Sequence, residues 1–457
     1  MNRWIWPGAV IVALGAATVA ASFVGPQPVP AAPFASSASR VSVVCPAFDS
    51  VTATVRIAVA ATGQGLRTSR VTQPNQGSDA GSFAVLTNAA KPVRVSAPLP
   101  DPFGATSVVA AGNGPDRGLS ASGCVVPRTD SWFPGVDVRT QAQSEVVVSN
   151  LDGTSASVDL TAYGEDGKVA APRGVEVAGN SSATISLGVL PRQPGPVTVH
   201  VSSSDGRVAA FVRQRTWQAD VPLGADWLPS GTEPASDLVV PGIPEGAGAR
   251  KLALTNPGER TATVTIGVLS GSGPIGLTGF EQVEVPAGVT RTVDLAAGLA
   301  GQAGALQLRS TQPLTAGMWL DSGGEDARRD PAYTVATAPL PADGVWPLAV
   351  GKTGRTVLQL ANPGDAEARV SVTVAANADA AGQPKVVTVP PGSTITVVVR
   401  SAAANVVRVR TQAIDLRAAL VSTERLGKVQ GLAVVALAAQ DTSRASTQVV
   451  FDPHAGS

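Results

Sequence analysis

The sequence predicts an all-β protein: tandem immunoglobulin- or fibronectin-like β-sandwich units behind an N-terminal transmembrane anchor, with a β-propeller as the alternative arrangement. Three observations carry this expectation. Short β-branched runs are punctuated by 48 glycines and 36 prolines in 457 residues; proline interrupts helices and glycine supplies turn conformations. One segment recurs at intervals of 106 residues, as "VVVSNLDGTSASVDLTAYG", "LALTNPGERTATVTIGVL" and "LQLANPGDAEARVSVTVAA", with its asparagine at Asn150, Asn256 and Asn362. Around each asparagine the apolar residues alternate: Val146 and Val148, Leu252 and Leu254, Leu358 and Leu360 before it, then Val158 and Leu160, Val264 and Ile266, Val370 and Val372 after it. Period-two spacing is the signature of a strand with one face buried.

Taken in order, residues 1–25 place Arg3 ahead of an apolar run from Trp4 to Val24. That length suits a signal anchor that crosses a bilayer or a signal peptide that is cleaved, and both readings put the rest of the chain outside the cytoplasm. Residues 26–40 are a Pro/Ala/Ser linker. Residues 41–128 form a divergent β domain between Cys45 and Cys124, the only two cysteines. An even count in an exported chain argues for one disulfide, with two free buried thiols as the alternative. Three repeats follow at 129–235, 236–341 and 342–440. Each continues into a second strand–turn–strand, "VEVAGNSSATISL", "VEVPAGVTRTVDL" or "VTVPPGSTITVVV", and then two further strands. Seven or eight strands per repeat suit a sandwich. A propeller would show a half-period near 53 residues, and none is visible. The asparagine segments read as hairpins, the three sandwiches stacked end to end would reach on the order of 100 Å, and residues 441–457 are a tail with an edge strand at "TQVVF".

"VVCP" at Val43 to Pro46, "CVVPRTDSWFPG" at Cys124 to Gly135, the NPG turns and "VPPGST" at Val389 to Thr394 resemble an actinobacterial family of exported proteins of unknown function, DUF5719, over roughly Val41 to Ala439. The most specific element is C-x-x-P-R-T-D-x-W, Cys124 to Trp132. Leu151, Asp152 and Gly153 depart from the Pro-Gly turn of the other two segments, within ordinary turn chemistry. The resemblance implies an envelope location in an actinobacterium and supplies no catalytic residues.

Lys plus Arg and Asp plus Glu balance at 34 each, and charged residues are 15% of the chain, so the electrostatic footprint of a nucleic-acid partner is missing. Of two histidines, His200 sits in a strand and His454 in the tail, which leaves a histidine-based triad without members. Glu165 with Asp166, Glu325 with Asp326, and Asp330 lie in Gly-rich stretches, where acidic side chains hydrogen-bond the local backbone. Two thiols cannot complete a tetrahedral metal shell, and no D-x-D-x-D-G spacing occurs; no catalytic residue, cofactor or metal site is expected. Trp217 and Trp227, in the junction after the first repeat, are the candidate ligand contacts. The expected function is that of a non-enzymatic extracytoplasmic envelope protein, a structural or protein-interaction scaffold at the cell membrane or secreted. Its partners would be the membrane, through the N-terminal helix, and an unidentified envelope protein or glycan. The alternative is a carbohydrate-binding accessory in cell-wall glycan assembly that uses Trp217 or Trp227.

Overall fold

The alternating segments form 33 strands, in seven sheets whose pairings are all antiparallel, among the residues the computed structural model describes: 40–50, 52–324, 328–348, 354–376, 382–399 and 405–438. One four-residue α-helix, Ala296–Leu299, and one 3-10 turn, Leu187–Val189, complete the secondary structure. The expected anchor, all but the last residue of the linker, and the tail lie outside the described residues. Within them no helix is long and apolar enough to cross a membrane.

In the first part of the chain, Arg40–Cys45, Val93–Pro98, Leu66–Arg70 and Ser78–Gly81 make one sheet, and Phe83–Thr87, Thr54–Ala61, Phe103–Ala111 and Gly118–Gly123 make a second. Val41, Val43, Val55, Ile57 and Val59 fill a single core between them, because every second residue of each strand points inward. Cys45 and Cys124 are disulfide-bonded across a separation of 79 residues and staple the two sheets. Closing a loop of that length removes unfolded-chain entropy equivalent to about 4.5 kcal/mol. Cys45→Ser with Cys124→Ser is therefore expected to lower the stability of this part of the chain by about 3 to 5 kcal/mol, read from urea midpoints.

Asp130–Leu228 contributes a four-stranded and a five-stranded sheet around a second core, and Asp343–Leu437 contributes two four-stranded sheets around another. Between them, Ala235–Val335 builds eight connected strands, because Gly304–Asp321 runs 18 residues through both of its layers. The sequence reads this stretch as two strands. Gly304 to Ser310 pair with Ala262–Ser270, and Thr315 to Leu320 pair with Arg250–Thr255. Pro313 lies between the two ladders, where the lack of an N–H loses no rung.

The asparagine segments differ from the expected hairpins. Arg250–Thr255 pairs with Thr290–Asp294 and the second half of the long strand, whereas Ala262–Ser270 pairs with Gly273–Gly276, Val283–Val285 and its first half. The two strands around Asn256 thus lie in opposite layers, as do those around Asn150 and Asn362. Each asparagine holds the corner where the chain changes sheets. Asn256 Nδ2 donates to the carbonyls of Arg260 at 2.6 Å and Val285 at 3.0 Å, while its Oδ1 accepts the Gly258 N–H at 3.0 Å. Asn150 makes the same three bonds to Thr154, Val177 and Asp152, and Asn362 to Ala366, Val389 and Gly364. Their exposures of 0%, 0% and 4% explain the residue choice: only a side-chain amide offers two donors and an acceptor in so short a reach.

The sheet pairs do not form an end-to-end stack. Their last strands, Gly118–Gly123, Val221–Leu228, Pro331–Val335 and Val429–Leu437, pack against one another in a closed circuit, the fourth returning to the first. At that closure Gly104 lies so near the Val345 carbonyl that a Cβ would sit 2.0 Å from its oxygen. Between the second and third pairs, the hydroxyls of Thr198, Thr255 and Thr290 form a chain at 2.5 and 2.8 Å, and Thr290 donates to the Tyr163 carbonyl at 2.7 Å. All of this lies within one compact unit, Ser39–Ala445.

Candidate functional site: the hub and the crevices between sheet pairs

The last strands are edge strands, and an edge needs partners for its backbone groups. Two buried aspartates supply them. Asp330, fully buried one residue before its strand, accepts the N–H of Leu119 at 2.7 Å and of Leu432 at 2.8 Å on one oxygen, tying the third pair to the first and the fourth. Its other oxygen has no hydrogen-bond partner among the described residues. That oxygen faces Gly118, at φ +112°, where an added Cβ would lie 1.8 Å away. Asp226, on the strand of the second pair, accepts the N–H of Trp227 at 2.8 Å, and the Ser120 hydroxyl of the first pair accepts that same N–H at 3.1 Å. Arg117 Nη2 donates to the carbonyls of Leu223 at 3.1 Å and Arg329 at 3.2 Å. Burial pushes both aspartates well above the usual carboxylate range; the backbone N–H groups, and Arg117 beside Asp330, oppose it. The sequence places Asp330 in a turn that satisfies its own local backbone. Its partners in fact lie 211 and 102 residues away.

Between the first and second pairs, Asp116 receives Arg213 Nη2 at 2.5 Å and Arg215 Nε at 2.6 Å. Burial alone would raise the Asp116 pKa, but the bonds and charges of Arg215 and Arg213 hold it below its usual value. Burial, reinforced by the neighbouring Arg215 charge, brings Arg213 down to about 10. The Arg213 guanidinium stacks 3.3 Å from the Phe48 ring. Trp227, one of the two expected ligand contacts, keeps 1% of its surface and packs on Phe48 and Phe211 with centroids 6.0 and 6.2 Å away. Trp217, the other, is half-buried at a bulge opposite Pro222, with its N–H given to the Gln141 carbonyl. The structure does not bring the two rings together.

The second and third pairs enclose a cavity of about 230 Å3 whose lining includes Asp137, Arg139, Glu165, Lys251, Trp319 and Tyr333. His200, the only described histidine, bonds Asp130 at 2.9 Å and stacks on Trp132 with centroids 3.9 Å apart. Burial moves it below its ordinary pKa against the pull of Asp130. Of the carboxylates noted in the sequence, Glu165 reaches the rim of the cavity and Asp166 is exposed; Glu325 and Asp326 lie outside the described residues. No group of three or more His, Cys, Asp or Glu among the described residues is placed to hold a metal ion. Backbone N–H groups, with Arg117 beside Asp330, satisfy the buried carboxylates, so the hub ties sheet pairs to one another.

These features define a class: a disulfide-bonded, all-β protein whose sandwich-like sheet pairs share a buried polar hub. The model of the family of unknown function DUF5719 matches residues 96–400, and the chain belongs to that family. No curated protein matches its sequence. Among solved structures, the crystal structure of trypsin-activated alpha-2-macroglobulin from Escherichia coli is similar at 10% identity, covering 87% of this chain and 41% of that one. Its TM-score of 0.11 carries no argument about fold or function.

Proposed function

We propose that this protein is a non-enzymatic scaffold working outside the cytoplasm, tethered to the membrane or released by its N-terminal segment, with its sheet pairs read as immunoglobulin- or fibronectin-like units. The observation that carries this reading is the hub: one carboxylate, Asp330, bonds backbone groups of two other sheet pairs. Buried polar groups so engaged fix the arrangement of the units and leave the outer sheet faces and loops for partners. The disulfide supports an oxidising compartment. Val386 and Val398, exposed by 64% and 52% on the fourth pair, are accessible positions for a photo-cross-linking side chain. Cross-linking in the intact cell is expected to capture one envelope protein or glycan at these positions. Recovery of the protein from the cytoplasm, or the absence of any cross-linked product, would contradict the reading.

A further inference from the structure

The cavity between the second and third sheet pairs has a composition that the hub does not use. Trp319 and Tyr333 are cross-strand partners in its wall. Gln214 Nε2 donates to the Tyr333 hydroxyl. The Gln214 oxygen in turn accepts the Asp137 N–H at 2.7 Å and the Ser144 hydroxyl at 3.2 Å, so this wall is held in place. Lys251, exposed, stands with its Nζ 5.3 Å from the Trp319 ring centroid. Arg139 and Asp137 pair at 2.6 Å, and Glu165 is exposed at the rim. The indole N–H of Trp319 and the hydroxyl of Thr292, both on lining residues, are buried without a hydrogen-bond partner. Groups of that kind cost stability, and a water or ligand polar atom is one partner that would satisfy them.

Three properties narrow the ligand. Two cations and two carboxylates balance, which favours a neutral molecule over an anion. The volume of about 230 Å3 falls below the roughly 300–1,000 Å3 of pockets for drug-sized ligands, so it suits a single ring. An aromatic wall beside mixed donors and acceptors matches a molecule with an apolar C–H face and a rim of hydroxyls. We propose that this cavity binds one neutral pyranose ring of a glycan, with its C–H face on Trp319 and its hydroxyls held by Lys251 and Glu165. The rings concerned differ from Trp217 and Trp227, and the inference is independent of the scaffold reading, which stands if no sugar binds.

Saturation-transfer NMR on the full chain, with methyl glucoside, methyl galactoside and N-acetylglucosamine each raised to about 50 mM, tests it. Transfer to the ring protons of at least one sugar is expected, with a dissociation constant in the millimolar range. Lys251→Ala and Glu165→Gln, both at exposed positions that leave the core untouched, should each weaken binding about tenfold, the loss of one charge-assisted hydrogen bond. Trp319→Phe, checked for an unchanged melting temperature, should weaken it further. No transfer to any of the three sugars, or transfer unchanged in both rim variants, overturns the proposal.

Discussion

Asp330→Ala is expected to destabilise the chain by about 4 kcal/mol. The substitution leaves the Leu119 and Leu432 N–H groups buried without acceptors, each costing about 1–3 kcal/mol. It also removes the link that joins the first and fourth sheet pairs through the third. Asp330→Asn separates the hydrogen bonds from the charge, because its oxygen still accepts both N–H groups while the amide nitrogen occupies the unpartnered position. That variant should fall within about 1 kcal/mol of the parent. It should also alter the pH dependence in a defined direction. Asp330 and Asp226 are held above their ordinary pKa by burial. The stability they contribute is fully present below the unfolded carboxylate pKa and is lost as pH rises through the raised value. Asp116 and Asp343 are held low by their arginines; their contribution is present above the unfolded pKa and lost as pH falls through the lowered one. Urea unfolding across the pH range should therefore show a decline on both sides, and Asp330→Asn should flatten the upper one and leave the acid limb in place.

The second large effect concerns the corners between sheets. Asn256→Asp replaces two donors with a carboxylate oxygen aimed at the carbonyls of Arg260 and Val285, at a position with no exposed surface. Repulsion between acceptors adds to the burial of a charge, and a loss of about 3–5 kcal/mol is expected. Asn256→Ala, which leaves the same carbonyls and the Gly258 N–H without partners, should cost about 2–4 kcal/mol. The aspartate variant should recover part of its stability at acid pH, as the side chain takes a proton and regains one donor; the alanine variant should not. Chemical unfolding of both variants at neutral and acid pH checks this.

The contrast between these sites shows what a single sequence displays. Strands and their buried faces were legible because alternation is local: Leu252 and Leu254 announce their inward direction within three residues. The disulfide was legible from the even cysteine count, read together with the expected export. The Asn-Pro-Gly corners were legible as turns, but a turn sequence does not say whether its two strands pair, since layer membership depends on strands such as Thr290–Asp294 further along the chain. Asp330 was not legible at all as a pin. A carboxylate among glycines reads as a turn residue, and the N–H groups it serves belong to other sheet pairs. Trp217 and Trp227 are near in sequence, yet only Trp217 has accessible surface of any extent. The cavity wall combines Trp319 and Tyr333 with Gln214, more than a hundred residues earlier, so its composition had no local signal.

Small-angle scattering of residues 40–438 tests most directly whether the sheet pairs close on a shared hub. A closed body of about 400 residues should give a radius of gyration of about 21 Å. A value near 30 Å, as for units strung out over about 100 Å, would contradict the closed circuit and the scaffold argued from it.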